Sequence, residues 1–316
     1  DTPMGAFQKL RCGHPISVLI VGDSIGKSSG ASDGHSWEAL LDKWLYEKYA
    51  VRCSFKNISL GGTGSYTGYV QTMKEDDDAD YDLAIICYGH NDGLEDLSVY
   101  YEAIIRAIRS KFIHCNMITV LQSSQKTYTD KIKAIQDLSA HYDIPAADTI
   151  EAFEKSEMSY DELTTDGVHP NDAGYELYFD AISRVIEEQT AAYTPHIVNE
   201  ISALNADMDR FERFYYIPSD AGRRSSDGCI IEIPFASPLS GAPGMEFERK
   251  GEGKVSVYID DKLLCSEEMG WSDEGSLYLV SPLSKEAVTV EKNIRLEFTS
   301  EDAADRFYGL AFTDVR

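Results

Sequence analysis

The stretch Ser17-Val18-Leu19-Ile20-Val21-Gly22-Asp23-Ser24-Ile25-Gly26 decides how this chain folds. Val18 to Val21 are aliphatic and mostly β-branched with no polar alternation, the pattern of a strand buried on both faces in a parallel sheet. Gly22 and Gly26 then bracket an acid and a serine. The strand therefore gives way to a tight turn at its carboxyl end, where open α/β sheets bind ligands. Outward from this point the pattern repeats. Arg52 to Ile58, Leu83 to Tyr88, Met117 to Leu121 and Ile144 to Ala147 read as further strands. Trp37 to Tyr49, Leu97 to Lys111, Lys131 to Tyr142 and Ala173 to Glu188 carry apolar residues at three and four spacing and read as helices. Alternation of this kind, from Ile16 to about Gln189, predicts an α/β fold with helices flanking a parallel sheet.

Thr190 and Pro195 end that pattern, so the expected domains are 1–195 and 196–316. In the second, Cys229 to Phe235, Val255 to Ile259, Ser276 to Val280, Ala287 to Val290, Ile294 to Phe298 and Tyr308 to Phe312 are short, β-rich and separated by turn signals. They predict a smaller all-β sandwich or jelly roll. All seven histidines lie in the first 196 residues, six of them within 1–195 and the seventh, His196, at the limit, which assigns any histidine chemistry to the first domain.

The 316 residues include 54 acidic and 29 basic ones, a formal charge of −25. A surface that negative repels phosphate backbones and anionic headgroups, which argues against nucleic-acid or acidic-membrane partners. The apolar runs are far shorter than the roughly 18 residues of a membrane span. The six cysteines, Cys12, Cys53, Cys87, Cys115, Cys229 and Cys265, form no C-x-x-C pattern and read as free thiols. Cysteine usage favours the cytoplasm, with secretion as the alternative if a signal peptide preceded Asp1. The acidic run from Glu75 to Asp82 lacks the glycine and distal glutamate of a calcium loop and reads as a solvated connection.

Ser24 is the candidate nucleophile. A serine hydroxyl attacks poorly unless a base takes its proton, and Asp166-Gly167-Val168-His169-Pro170 offers His169 with a carboxylate three residues before it. Acyl transfer also needs donors aimed at the developing oxyanion. Asn57-Ile58-Ser59-Leu60-Gly61-Gly62-Thr63-Gly64 brings glycine N–H groups after one strand, and Tyr88-Gly89-His90-Asn91-Asp92 brings the Asn91 amide after another. Gly22-Asp23-Ser24-Ile25-Gly26 also satisfies the G-x-S-x-G elbow of α/β-hydrolases. That fold places several strands before its serine and keeps its acid far from its histidine, unlike this order.

Taken in order, the four blocks resemble the SGNH hydrolases, the GDSL esterase and lipase family, over roughly Ser17 to Glu188. The resemblance implies a three-layer α/β/α domain and a Ser24, His169 and Asp166 triad. It also implies an oxyanion hole made by the Ser24 and Gly62 N–H groups and Asn91, with Gly62 preferred over Gly61. Ile25 stands where the family name has leucine, a near-isosteric change. His90 falls at a variable motif position and is expected to line the pocket. No metal or organic cofactor is implied. The expected activity is serine ester hydrolysis, acetyl groups on a carbohydrate being favoured because the β-rich second domain looks like accessory modules of carbohydrate esterases. A lipase or lysophospholipase acting on longer acyl chains, or a glycan-binding protein with a vestigial hydrolase domain, are the alternatives. The expected partner is an acylated small molecule or glycan, and the oligomeric state is left open.

Overall fold

The aliphatic run after Ser17 forms a strand whose residues from Val18 onward are all buried. The structure, a computed structural model, describes residues 4–192, 200–272 and 275–316. It comprises two compact units, Asp1–Ala206 and Asp207–Arg316.

In chain order the first unit runs α1 (Ala6–Arg11), β1 (Ser17–Gly22), α2 (Trp37–Tyr49), β2 (Ser54–Asn57), α3 (Ser65–Lys74), β3 (Leu83–Cys87), α4 (Leu94–Lys111), β4 (Asn116–Leu121), α5 (Asp130–His141), β5 (Ala146–Asp148), α6 (Thr149–Lys155) and α7 (Asp172–Ala192). The strands form one parallel sheet in the order β2-β1-β3-β4-β5. Successive strand residues point to opposite faces, which accounts for the layers. Val18, Ile20, Leu83, Ile85, Ile118 and Val120 share a core with Leu10 of α1, Leu41 and Leu45 of α2 and Ile182 of α7. The intervening Leu19, Val21, Ala84 and Ile86, also fully buried, face the opposite layer. There α3 packs on α4 and α4 on α5, and Tyr101 of α4 donates to the Ile86 carbonyl at 3.2 Å. The expected three-layer α/β/α arrangement is the one observed.

In the first unit the described helices α1, α3 and α6 were not anticipated. The reason is clearest for α3, where Tyr66, Thr67, Gly68, Tyr69 and Val70 are poor helix formers. Its stability comes from elsewhere. Asp92, from the loop after β3, accepts from the Ser65 N–H at 2.8 Å and the Ser65 hydroxyl at 2.7 Å, and so caps the helix. Tyr66 packs against Tyr100 of α4 with ring centroids 5.0 Å apart.

The acidic run is anchored at its end rather than wholly solvated. Buried Asp82 accepts from the Ser17 N–H at 2.9 Å and from Lys9 Nζ at 2.5 Å, which fixes the start of β1.

The expected domain limit at 195 lies within 193–199, outside the described residues. Segment 200–206 belongs to the first unit. Buried Glu102 of α4 accepts from the Leu204 N–H at 2.6 Å, the Asn205 N–H at 2.8 Å, Asn205 Nδ2 at 2.7 Å and Tyr142 Oη at 2.5 Å.

The second unit contains β6 (Tyr215–Pro218), β7 (Arg223–Arg224), β8 (Ile230–Pro234), β9 (Leu239–Arg249), β10 (Lys254–Ile259), β11 (Lys262–Glu268), β12 (Leu277–Pro282), β13 (Val288–Val290), β14 (Asn293–Phe298), α8 (Glu301–Asp305) and β15 (Phe307–Thr313). Its strands pair antiparallel in two sheets, β11-β10-β14-β8-β7 and β12-β9-β15-β6, with β13 also on β9. Alternate residues Val255, Val257, Ile294 and Leu296 of one sheet and Met245, Phe247, Leu310 and Phe312 of the other form a common core. This is the expected sandwich.

The long strand β9 was not among the expected strands, and its Gly241, Pro243 and Gly244 are poor strand formers. Pro243 is tolerated because its carbonyl, accepting from Leu283 and Ser284, faces the gap between β13 and β12, so its missing N–H removes no bond to β15. On the outer side of this sheet Tyr278 packs against Tyr308 with the rings tilted and their centroids 4.9 Å apart, and the Tyr278 and Tyr216 hydroxyls donate to buried Glu246. All six cysteines are free thiols, Cys87 and Cys115 buried. No helix among the described residues is long and apolar enough to cross a membrane.

Candidate active site

At the carboxyl end of β1 the chain turns within a few residues. Asp23 Oδ1 accepts from the Ile25 N–H at 2.9 Å, closing an Asx turn around Ser24. The Ser29 N–H then returns to the Ser24 carbonyl at 2.8 Å. The flanking glycines are demanded by close approach. A Cβ on Gly22 would sit 2.6 Å from the Cys87 carbonyl, and one on Gly26 would sit 2.7 Å from Ser59 Oγ and 2.9 Å from the Gly22 Cα. Ser24 is therefore presented on a turn pressed against the ends of β2 and β3.

His169 and Asp166 lie in the loop that precedes α7. The Thr165 N–H donates to the His169 carbonyl at 2.8 Å, and Gly167 supplies a left-handed residue with φ +80° inside the loop. Asp166 Oδ1 accepts from the Val168 and His169 N–H groups at 3.0 and 2.8 Å, and its Oδ2 lies 2.7 Å from His169 Nδ1. The opposite ring nitrogen, Nε2, lies 2.8 Å from Ser24 Oγ. Partial burial pushes the Asp166 carboxyl up, but the His169 N–H, the His169 ring and the Val168 N–H outweigh it and hold it at about 2. An ionised carboxylate thus fixes the imidazole, with Nδ1 as donor and Nε2 turned to the serine.

The loop carrying Gly61 and Gly62 passes against Ser24, a Cβ on Gly61 reaching 3.7 Å from the Ser24 Cβ. Gly62 has φ +73°, a conformation that accounts for glycine there. The Ser24 and Gly62 N–H groups have no hydrogen-bond partner among the described residues. Asn91 Nδ2 donates to the Thr63 carbonyl at 2.9 Å, leaving its second hydrogen unused and joining its loop to that of Gly62. Asn57, which opens the glycine block, acts on the backbone. Its Nδ2 reaches the Gly26 carbonyl at 3.1 Å and Glu38 at 2.7 Å. His90 is half-buried, its Nδ1 without a partner. Burial, then Lys131 and His169, lower its pKa, so its imidazole tends to the neutral form.

Supporting groups surround these residues. Tyr88, fully buried, places its hydroxyl 3.3 Å from Thr63 Oγ1. Lys131 Nζ donates to the His90 and Asp92 carbonyls at 2.9 and 3.0 Å. Gln122, the residue after β4, donates to both oxygens of Asp23. Burial pushes the Asp23 carboxyl up from 3.8 to about 6, against the pull of Gln122 and of the Ile25 and Gly26 N–H groups. None of these carried a functional signal in the sequence. A lone glutamine after the apolar run Met117 to Leu121, and the aspartate that closes Gly89-His90-Asn91-Asp92, were the available hints.

A hydroxyl hydrogen-bonded to an imidazole that is itself held by a carboxylate, beside unused N–H donors, is an arrangement able to perform acyl transfer. The sequence pattern of the GDSL-like lipase/acylhydrolase family matches residues 20–177, half of the chain, and the chain belongs to that family. Among solved structures, a two-domain esterase (CEX) active on acetylated mannans, co-crystallised with mannopentaose, is similar at a TM-score of 0.75 with 15% identity, covering 96% of this chain and 93% of that one. A second crystal structure of a two-domain esterase (CEX) active on acetylated mannans gives a TM-score of 0.71 at 16% identity over the same shares. At such identities the likeness is one of fold, and it spans both units. No curated protein matches the sequence.

Proposed function

We propose that the chain is a serine esterase that removes acyl groups, acetyl foremost, from a carbohydrate through an acyl-enzyme. The observation that carries this reading is the line from Ser24 Oγ to His169 Nε2 and from His169 Nδ1 to Asp166, at 2.8 and 2.7 Å. Ser24 Oγ attacks the acyl carbonyl as its proton passes to Nε2, and the carbonyl electron pair moves onto oxygen. The Ser24 and Gly62 N–H groups and the free Asn91 N–H hold that oxyanion. The adduct then collapses, the bond to the sugar oxygen breaks, and His169 returns the proton to the leaving oxygen. Water attacks the acyl-enzyme with His169 as base, and the carboxylic acid departs as Ser24 regains its proton. Asp166 orients the ring and stabilises the imidazolium that forms twice in the cycle.

In this reading the first unit performs the chemistry and the second is an accessory module. Support for a carbohydrate comes from the shared two-domain fold with an esterase active on acetylated mannans. The net charge of −25 also suits a neutral sugar better than an anionic lipid surface. The test is hydrolysis of p-nitrophenyl acetate and octanoate by the wild type and by Ser24→Ala. Turnover of acetate, lost with the serine, is expected, followed by acetate release from acetylated glycans. Faster serine-dependent turnover of octanoate would replace the carbohydrate reading with a lipase. Turnover that survives Ser24→Ala would remove Ser24 from the mechanism.

A further inference from the structure

Beneath Ser24 the ends of three strands meet at one side-chain amide. Gln122 follows β4, Asp23 follows β1, and Cys87 is the last residue of β3. Gln122 Nε2 lies 3.0 and 3.1 Å from the two Asp23 carboxylate oxygens and 3.1 Å from the Cys87 carbonyl. The Asp23 N–H also reaches that carbonyl at 3.2 Å. Asp23, Cys87 and Gln122 are all fully buried.

Among the described residues Asp23 takes hydrogen bonds only from neutral donors, and Lys131 acts on it through space without a hydrogen bond. A buried carboxylate held in this way is unfavourable. The turn alone does not require it, because asparagine closes an Asx turn without the charge. What the carboxylate adds is a second acceptor oxygen: Oδ1 takes the Ile25 N–H and the Gln122 amide, and Oδ2 takes the Gln122 amide as well. Bonding the Ile25 N–H inward leaves the Ser24 N–H unused and turned out of the Asx ring. At the other end, Cys87 leads directly into Tyr88 to Asp92, the loop that carries Asn91.

We propose that Asp23 and Gln122 form a positioning pair that sets Ser24 against the oxyanion donors, by tying the turn after β1 to the end of β3 through the first residue after β4. Neither residue touches the reacting atoms. The inference rests on Ser24 being the nucleophile, and it adds two residues that act through it. Displacements near 1 Å at a reacting centre lower rates by about a hundredfold, so loss of either tie is expected to appear in kcat and not in KM.

The experiment compares the wild type with Asp23→Asn, Gln122→Met and the double variant on p-nitrophenyl acetate. Both substitutions keep side-chain length, and Asp23→Asn keeps the Asx turn while removing the buried charge, so it remains informative if Gln122→Met fails to fold. Each folded single variant should lose 10- to 100-fold in kcat with KM within twofold, and the double variant should be no worse than the weaker single, as expected of groups that act as a unit. A kcat within threefold of wild type in a folded variant, or multiplied losses in the double variant, would overturn the proposal.

Diisopropyl fluorophosphate, with the labelled peptide mapped by mass spectrometry, separates this question from the nucleophile reading. Labelling of the wild type at a residue other than Ser24 would remove the nucleophile itself. Labelling at Ser24, with folded Asp23→Asn reacting at the wild-type rate, would leave the nucleophile standing and sink the positioning pair. Slower labelling of a variant whose thermal midpoint is not lowered is the supporting result, because a purely structural residue would not separate the two.

Discussion

Replacing Asp23 by Asn tests whether the chain carries a buried charge, hydrogen-bonded only by neutral donors, beside its serine, and the size of the effect follows from the structure. The carboxyl is raised from 3.8 to about 6 because burial disfavours its ionised form. A raised acid means that the folded state binds the proton more tightly than the unfolded state. Below about pH 4 both states are protonated and nothing is lost; stability then falls as pH rises, and the loss is complete above about pH 6. A shift of about 2 units at 1.36 kcal/mol per unit amounts to about 3 kcal/mol at pH 8 and roughly half that at pH 5. Asparagine removes this penalty but turns an amide toward Gln122, forfeiting one hydrogen bond of about 1 kcal/mol. The variant should therefore be about 2 kcal/mol more stable than the wild type at pH 8, and less than 1 kcal/mol more stable at pH 5. Urea unfolding at half-unit steps from pH 5 to 8 measures this. A Trp271→Phe background leaves Trp37 and Trp44, both in the first unit, as the fluorescent reporters. A stability difference that does not change across this range, or a variant destabilised at pH 8, would refute the reasoning.

Three further outcomes are expected. Asp166→Asn should lower kcat for p-nitrophenyl acetate by about 10³ to 10⁴-fold with little change in the urea midpoint, because the imidazole loses the anion that fixes its tautomer. Since Asp166 is held at about 2, its stabilising contribution is complete above pH 3.8 and lost only as pH falls through about 2, so the carboxylate should not set the acid limb of the wild-type rate profile near pH 5. Gly68→Ala would place a Cβ 2.3 Å from the buried Tyr88 ring; displacement of that ring should destabilise the first unit by about 1–3 kcal/mol in urea unfolding and weaken turnover through Thr63. Glu102→Ala would leave the Leu204 and Asn205 N–H groups without their acceptor, with an expected destabilisation of about 3 kcal/mol and faster limited proteolysis at 200–206.

Local chemistry made much of this fold legible. The aliphatic run before Gly22 reads as a strand between parallel neighbours, and the alternating apolar residues at Val255 to Val257 and Ile294 to Phe298 read as one face of a sandwich. What stayed hidden depended on partners distant in sequence. The residues of α3 favour strand or turn, and they become helical because Asp92 caps Ser65 and Tyr100 receives Tyr66. Gly241, Pro243 and Gly244 disfavour a strand, and the region becomes one because the proline falls where one neighbouring strand ends and the next begins. Propensity is a local quantity, and both cases were decided by contacts that no window of sequence contains.

The site divides in the same way. Ser24, Asn91, Asp166 and His169 were candidates by residue type, because a nucleophile, a base, an acid and an oxyanion donor each need a particular group on a turn or loop, and Gly62 was preferred to Gly61 through the family resemblance. The structure adds their distances: 2.8 Å from serine to histidine, 2.7 Å from histidine to aspartate, and an Asn91 amide half committed to Thr63. Gln122 and Tyr88 had no signal of their own, since a polar residue after a strand is ordinary in any sequence, and Lys131 is an ordinary lysine in the first turn of α5. By itself, then, the sequence determined the five strands of the first unit, the helices α2, α4, α5 and α7 between them, and the candidate chemical groups, because backbone preference, burial pattern and functional-group chemistry are carried by residues close together in the chain. Only the tertiary structure decided which of those groups meet and what lies beneath them, because a hydrogen bond between Asp23 and Gln122 depends on three strand ends brought within a few ångströms by the packing of the whole sheet.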